Sequence, residues 1–271
     1  MPLFSILLLL LTGALAGIAA GFLGIGGGAV LTPLCLLIFP TIGVGGDNIV
    51  RVIFGTNMFL VMVFSVSAVL KHHGNSKIDW RMVSIMAPLA IVGSLTGAWT
   101  ASIVDSLYLK KGFAMLLAVS SVMLVLRGST KPSGASSPGH ALLPQQLIPL
   151  LGFVTGFAGS LLGVGGGVVM IPALILIFAY PVDKVAATSS SIIIFIGLAG
   201  MAAYMWHGID ALDLPGWSTG YVWWSAAIPL AIGGVPMARV GAMLNARTHD
   251  KLLQRIFGAA MFIISMRIFL S

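Results

Sequence analysis

Apolar residues run in long blocks along this chain, broken by clusters of glycine, proline and charge. Ten blocks can be drawn: Leu3–Phe22, Ala29–Phe39, Val50–Leu70, Met82–Ile103, Gly112–Leu126, Gln146–Leu162, Val168–Tyr180, Val185–Trp206, Tyr221–Ala238 and Leu252–Leu270. A helix needs about 20 residues to cross the hydrocarbon core of a bilayer. Several blocks reach that length. Ala29–Phe39 and Val168–Tyr180, each following a glycine cluster, do not. Outer-membrane barrels alternate apolar and polar residues, so these continuous runs predict helices. The only long polar stretch, Arg127 to Pro144, contains Gly-Ser-Thr-Lys-Pro-Ser-Gly-Ala-Ser-Ser-Pro-Gly and reads as a linker.

After the linker the pattern restarts. Gly24-Ile25-Gly26-Gly27-Gly28 matches Gly163-Val164-Gly165-Gly166-Gly167, and Pro33 and Pro172 follow at equal spacing. Gly17 pairs with Gly156 at the same offset. Gly55-Thr56-Asn57 resembles Ala187-Thr188-Ser189, His73-Gly74 resembles His207-Gly208, and Pro88 resembles Pro229. Landmarks recurring in one order point to duplication. In each half the first two runs return the chain to its starting side and three more cross. The second half is then inverted relative to the first. The expected organisation is a repeat over residues 1–127, a cytoplasmic linker over 128–144 and a second repeat over 145–271.

Composition agrees with the pattern and sharpens it. The chain of 271 residues is 58% apolar and only 8% charged, where a soluble domain carries about 25% charged residues. Its mean hydropathy is +1.08. A soluble globule and a disordered chain are both excluded, leaving an all-α polytopic membrane protein. The first run lacks the basic region of a signal peptide, because no Lys or Arg precedes Arg51. It is treated as part of the fold.

The seven acids are all Asp and each lies in or beside a break between runs. Intramembrane acids usually mark proton or cation pathways, so their placement argues against cation transport on buried carboxylates. On the inferred topology ten bases (Lys71, Lys77, Arg81, Arg127, Lys131, Lys184, Arg239, Arg247, Lys251 and Arg255) share one side. Four (Arg51, Lys110, Lys111 and Arg267) share the other. The positive-inside rule puts the ten in the cytoplasm and both termini outside, with Lys110-Lys111 a local violation. That explains the isoelectric point near 9.9 without nucleic acid as a partner. The single Cys35 excludes an internal disulfide and a cysteine metal cluster, and the five His show no metal-ligand spacing. No metal and no cofactor are expected.

Two constellations carry candidate chemistry. A glycine break in a membrane helix exposes backbone N–H groups that must find partners. At the start of the next helix those groups form a partial positive charge suited to an anion. Matched, glycine-interrupted short helices in inverted repeats point to a transporter's midplane site. The competing explanation is close helix packing by small residues; duplication with a proline at equal spacing favours the site. No Lys-Ser or Lys-Thr follows either cluster, so these are not nucleotide loops. The second constellation, Thr56-Asn57 and Thr188-Ser189, offers neutral donors to an oxyanion, or hydroxyls bonded to their own helix carbonyls. Arg51 and Lys184 read as interfacial anchors or as attractors of anions at the mouths. His73 and His207 read as helix-end caps or pH sensors. Trp80, Trp206, Trp217, Trp223 and Trp224 read as an aromatic belt. No nucleophile–base pair, acid pair or Gly-x-Ser-x-Gly survives, so no enzyme is expected.

The paired glycine clusters with their prolines, the Thr-Asn/Thr-Ser pair and the His-Gly loops together resemble the TauE/SafE family of permeases, also described as sulfite exporters. The resemblance covers nearly the whole chain outside the linker. It implies two inverted-topology repeats, each with a short re-entrant-like helix pair plus three transmembrane helices. It also implies export of a small sulfur oxyanion or organosulfonate across a prokaryotic inner membrane. The partners are then the small anionic substrate and the lipid bilayer, with a homo-oligomer left open. The substrate site expected between the repeats comprises Gly26, Gly27, Gly28, Gly165, Gly166 and Gly167 as backbone donors, with Thr56, Asn57, Thr188 and Ser189 as side-chain donors. An anion channel, or an uptake permease for another oxyanion, is the alternative.

Overall fold

The computed structural model describes residues 3–23, 26–72, 78–127, 144–178 and 180–247, with positions 262 and 265–267 of the last run. Nine α-helices follow one another among them: α1 (Leu3–Leu23), α2 (Gly28–Thr41), α3 (Ile49–His72), α4 (Trp80–Ile103), α5 (Ser106–Arg127), α6 (Ile148–Leu161), α7 (Gly167–Leu176), α8 (Val182–His207) and α9 (Trp224–Arg247). Most lie within a few residues of the apolar runs, because a chain in lipid must satisfy its backbone internally and a helix does so locally. The expected linker lies outside the described residues apart from Pro144, and so does His73.

Four of the described helices are long and apolar enough to cross a membrane, spanning Leu3–Phe22, Ile49–Leu70, Trp80–Ile103 and Lys184–His207. The protein is a multi-pass, all-α membrane protein. The two helices that follow the glycine clusters are much shorter, with 14 residues in α2 and 10 in α7. At about 1.5 Å per residue neither covers the ~30 Å hydrocarbon core.

The packing is reciprocal between the halves. The first helix of each half lies on the fourth of the other, α1 on α9 and α6 on α4, while α3 and α8 cross at the centre. The central pair is the more enclosed. In α3 72% of the span is buried and in α8 67%, against 44% for α1 and α4. Small residues bring the outer pairs together: a Cβ on Gly13 or Gly17 would strike the Leu230 and Gly234 carbonyls, and one on Gly152 or Gly156 those of Met86 and Ala90. Without a hydrophobic drive between helices in lipid, such close backbone approach is the main source of adhesion.

Two expectations are corrected. The helix α5 begins at Ser106 and carries Lys110-Lys111 within it; those lysines stand just before the apolar run Gly112–Leu126 but favour a helix. Before α9 the chain makes a two-stranded turn, β1 (Ser218–Thr219) with β2 (Val222–Trp223), and this buries Trp223 at 3% exposure. Its ring meets Phe39 edge-on at 5.0 Å. Trp223 is therefore a packing residue, whereas Trp80, Trp206 and Trp217 stand more than half exposed.

Candidate functional site

The described residues of each glycine cluster, 26–28 and 163–167, turn into a short helix. Gly26 and Gly27 have φ of 77° and 78°, and Gly165 and Gly166 have 82° and 80°. Two consecutive left-handed residues cost a side-chain-bearing pair roughly 1–2 kcal/mol each; glycine avoids that penalty. In the second turn the Gly159 carbonyl closes α6 by accepting the Val164 N–H (2.8 Å) and Gly165 N–H (3.1 Å). Gly27 and Gly166 are the N-caps of α2 and α7, and neither helix start has a side-chain cap. The Gly167 and Val168 N–H groups find no acceptor among the described residues. A buried helix start without a cap is a ready anion site.

The turns meet at the centre of the molecule. A Cβ on Gly26 would lie 3.2 Å from both Ile193 of α8 and Val61 of α3, and one on Gly165 would press on the same two side chains. Val61 and Ile193 occupy equivalent places in the two halves, five residues beyond Thr56 and Thr188. A Cβ on Gly28 would lie 2.6 Å from the Val164 carbonyl oxygen. All the described glycines of both turns are buried.

A polar chain ties one turn to the opposite half. Asn57 Nδ2 donates to Thr32 Oγ1 (2.6 Å), and Thr32 Oγ1 donates to the Gly163 carbonyl (3.0 Å). Cys35 Sγ approaches Asn57 Oδ1 at 4.0 Å. Asn57 thus sits beside the second glycine turn with its amide engaged. Ser189 Oγ donates to the Ala186 carbonyl (3.1 Å); Ser190 and Ser191 bond back in the same way to Ala186 and Ala187.

Thr56 and Thr188 have a different task. Thr56 Oγ1 accepts the Trp223 N–H (3.1 Å), and Thr188 Oγ1 accepts the Asp79 N–H (3.2 Å). Trp223 and Asp79 each immediately precede the fourth helix of the opposite half, so the equivalent threonines hold equivalent backbone. Both are fully buried. Of the expected site residues, the structure brings together the glycines and Asn57, and commits both threonines to anchoring α9 and α4.

The two ends of the α3–α8 pair differ. Arg51 donates to the carbonyls of Ala101 (3.1 Å) and Val104 (2.9 Å) and to Asn48 Oδ1 (2.9 Å). It closes the C-terminal end of α4, a role the helix dipole favours, and is more committed than an interfacial anchor. At the opposite end a pocket of about 370 Å³ opens between α4 and α8, lined by Asp79, Arg81, Met82, Tyr180 and Lys184 with apolar neighbours. Tyr180 Oη donates to Asp79 Oδ2 (3.1 Å) and lies 3.3 Å from Thr188 Oγ1.

Sequence reasoning missed Tyr180, Thr32 and a buried cluster joining α4, α6 and α8. There Ser94 and Ser160 hydroxyls lie 2.6 Å apart, Ser94 donates to the Ile196 carbonyl and Tyr204 to that of Ser160. Thr32, Ser160 and Tyr204 stand alone within apolar runs, Ser94 has only Thr96 near it and Tyr180 ends a run, so no periodic signal exposes them.

A family model described as "Sulfite exporter TauE/SafE" matches residues 9–268. A Methanocaldococcus jannaschii protein named "Probable membrane transporter protein" is 26% identical, covering 96% of this chain and 93% of that one. A Haemophilus influenzae protein of the same name is 27% identical over 98% of each chain. Bacillus subtilis YunE, also so named, is 25% identical over 97% of each. No solved structure matches. A match running through both glycine turns and all the described helices shows that this chain belongs to the sulfite exporter TauE/SafE family and is a membrane transporter.

Proposed function

We propose that the protein exports a small sulfur-containing anion, such as sulfite or an organosulfonate, by alternating access between inverted repeats. The observation that carries this reading is the meeting of two buried, uncapped helix starts, one from each half, on Val61 and Ile193. Such starts present N–H groups and a positive dipole end to an anion, with no ionised side chain beside the turns among the described residues. Gly26, Gly27, Gly28, Gly166 and Gly167 supply the backbone donors, while the Gly165 N–H stays on the Gly159 carbonyl and holds the turn. Asn57 reaches the second turn through Thr32, Ser189 holds the matching position in α8, and Thr56 and Thr188 hold the helices that move against the turns. The reciprocal pairing of helices supports rocking of one repeat-derived unit against the other, as inverted-repeat carriers do.

The test is flux in proteoliposomes with sulfite, sulfate, thiosulfate and a small alkylsulfonate, alongside thermal shift in detergent. A bound ligand at 100 times its Kd stabilises by about 2.7 kcal/mol. A sulfur oxyanion should raise the melting temperature and show flux accelerated by substrate on the far side. Flux without that acceleration means a channel. No shift and no flux with any of the four overturns the proposal.

A further inference from the structure

The pocket between α4 and α8 is chemically unlike the glycine turns. Arg81 and Lys184 are both exposed in its lining. Neither side chain makes a hydrogen bond or ion pair with any described residue. The acid beside them is already engaged: Asp79 Oδ1 accepts the Met82 N–H at the start of α4, and Oδ2 accepts the Tyr180 hydroxyl. Among the described lining side chains, one carboxylate against two bases leaves the pocket net positive. Low-dielectric walls around such a cleft focus its field and concentrate counter-ions. At the other end of the α3–α8 pair Arg51 is spent on helix carbonyls.

A polar line runs inward from this pocket. Tyr180 Oη is at its wall, Thr188 Oγ1 lies 3.3 Å behind it, and Ser189 is next along α8. We infer that the pocket is a recruiting mouth for a small oxyanion, held by Arg81 and Lys184 before it passes to the glycine turns. The identity of that anion rests on the function proposed above, whereas the positive mouth does not. An exporter would load from this face, which the charge count expects to be cytoplasmic.

Two measurements separate the ideas. The first uses Met82→Cys, a half-buried lining position, with wild type reporting the background of buried Cys35. Modification rates are taken for an anionic thiol reagent (2-sulfonatoethyl methanethiosulfonate) and its cationic trimethylammonium analogue, each normalised to a free thiol. The anionic reagent should be favoured about tenfold at low salt. Arg81→Gln with Lys184→Gln should erase that preference, while Arg81→Lys with Lys184→Arg should keep it. A preference unchanged by neutralisation overturns the mouth, whatever the transport result. The second is sulfite flux. The double Gln variant should raise the half-saturating concentration from this face about threefold to tenfold with the maximal rate retained, and unchanged half-saturation overturns the recruiting role. Charge-dependent modification in a protein that moves no sulfur oxyanion would sustain the positive mouth while removing the proposed substrate.

Discussion

The third helices of the two halves share a backbone plan and differ in their surroundings. In α3, Thr56 holds the Trp223 N–H; in α8, Thr188 holds that of Asp79. Each anchors the start of the other half's fourth helix. Around that shared anchor the side chains diverge. Near the start of α3, Arg51 reaches three acceptors and ties down the end of α4. Near the start of α8, Lys184 lines an open pocket with Arg81 and Tyr180. The two halves share the backbone bond, which any threonine at that place can make. They do not share what seals the helix ends, because that depends on a few long polar side chains. The α3–α8 pair thereby carries one tied end and one open end.

The largest expected effect tests what the halves share. Gly27→Val and Gly166→Val each force a side chain into left-handed backbone. The added Cβ meets Ala20 Cβ at 2.7 Å in one case and the Thr155 carbonyl oxygen at 2.5 Å in the other. Backbone strain and overpacking together predict a loss of about 2–5 kcal/mol in each, with flux abolished. A folded variant with wild-type flux at either glycine removes the central turns from the mechanism.

Next in size is the contrast between the ends. Arg51→Gln loses charge-assisted bonds worth about 1.5–3 kcal/mol, read as a lower melting temperature in detergent. Lys184→Gln should stay within about 0.5 kcal/mol, as exposed substitutions do. Equal destabilisation by the two would break the comparison.

A smaller difference separates the threonines. Thr56→Val strands the buried Trp223 N–H and should cost about 1–3 kcal/mol. Thr188→Val strands the N–H of half-buried Asp79 beside the open pocket, where water replaces the lost acceptor, so the cost should be under about 1 kcal/mol. The reverse order would mean that the open end is sealed in the membrane. A last variant, Asn57→Ala, tests the polar chain that ties the first half to the second turn. It removes the 2.6 Å bond to Thr32 but leaves the Thr32–Gly163 bond intact, so about 1 kcal/mol of destabilisation is expected.

Much of the architecture was legible before any coordinates. The runs Val50–Leu70 and Met82–Ile103 fall within α3 (Ile49–His72) and α4 (Trp80–Ile103), because lipid leaves an apolar chain few options besides a helix. The glycine turns were legible from duplication, since two consecutive left-handed residues at a helix start demand glycine twice over. The start of α5 was not, because hydropathy drops at Lys110-Lys111 while helix propensity does not. Nor was the turn before α9, whose strands have only two residues each. Trp223 looked like its neighbours at span ends, and only the packing against Phe39 separates it from an interfacial tryptophan.

What the sequence determined alone, then, was the solvent and the helix breaks: a chain with 8% charge and no Glu belongs in lipid, and its matched glycines mark where helices break. These follow from composition and local backbone preference, which are properties of short segments. The tertiary structure decided which atoms meet. Residues 131 positions apart, Thr32 and Gly163, share a hydrogen bond, and Arg51 is spent on helix carbonyls while Lys184 is left at an open pocket. Such outcomes depend on how helices cross, and a crossing is set by the joint fit of many side chains, which no single stretch of sequence encodes.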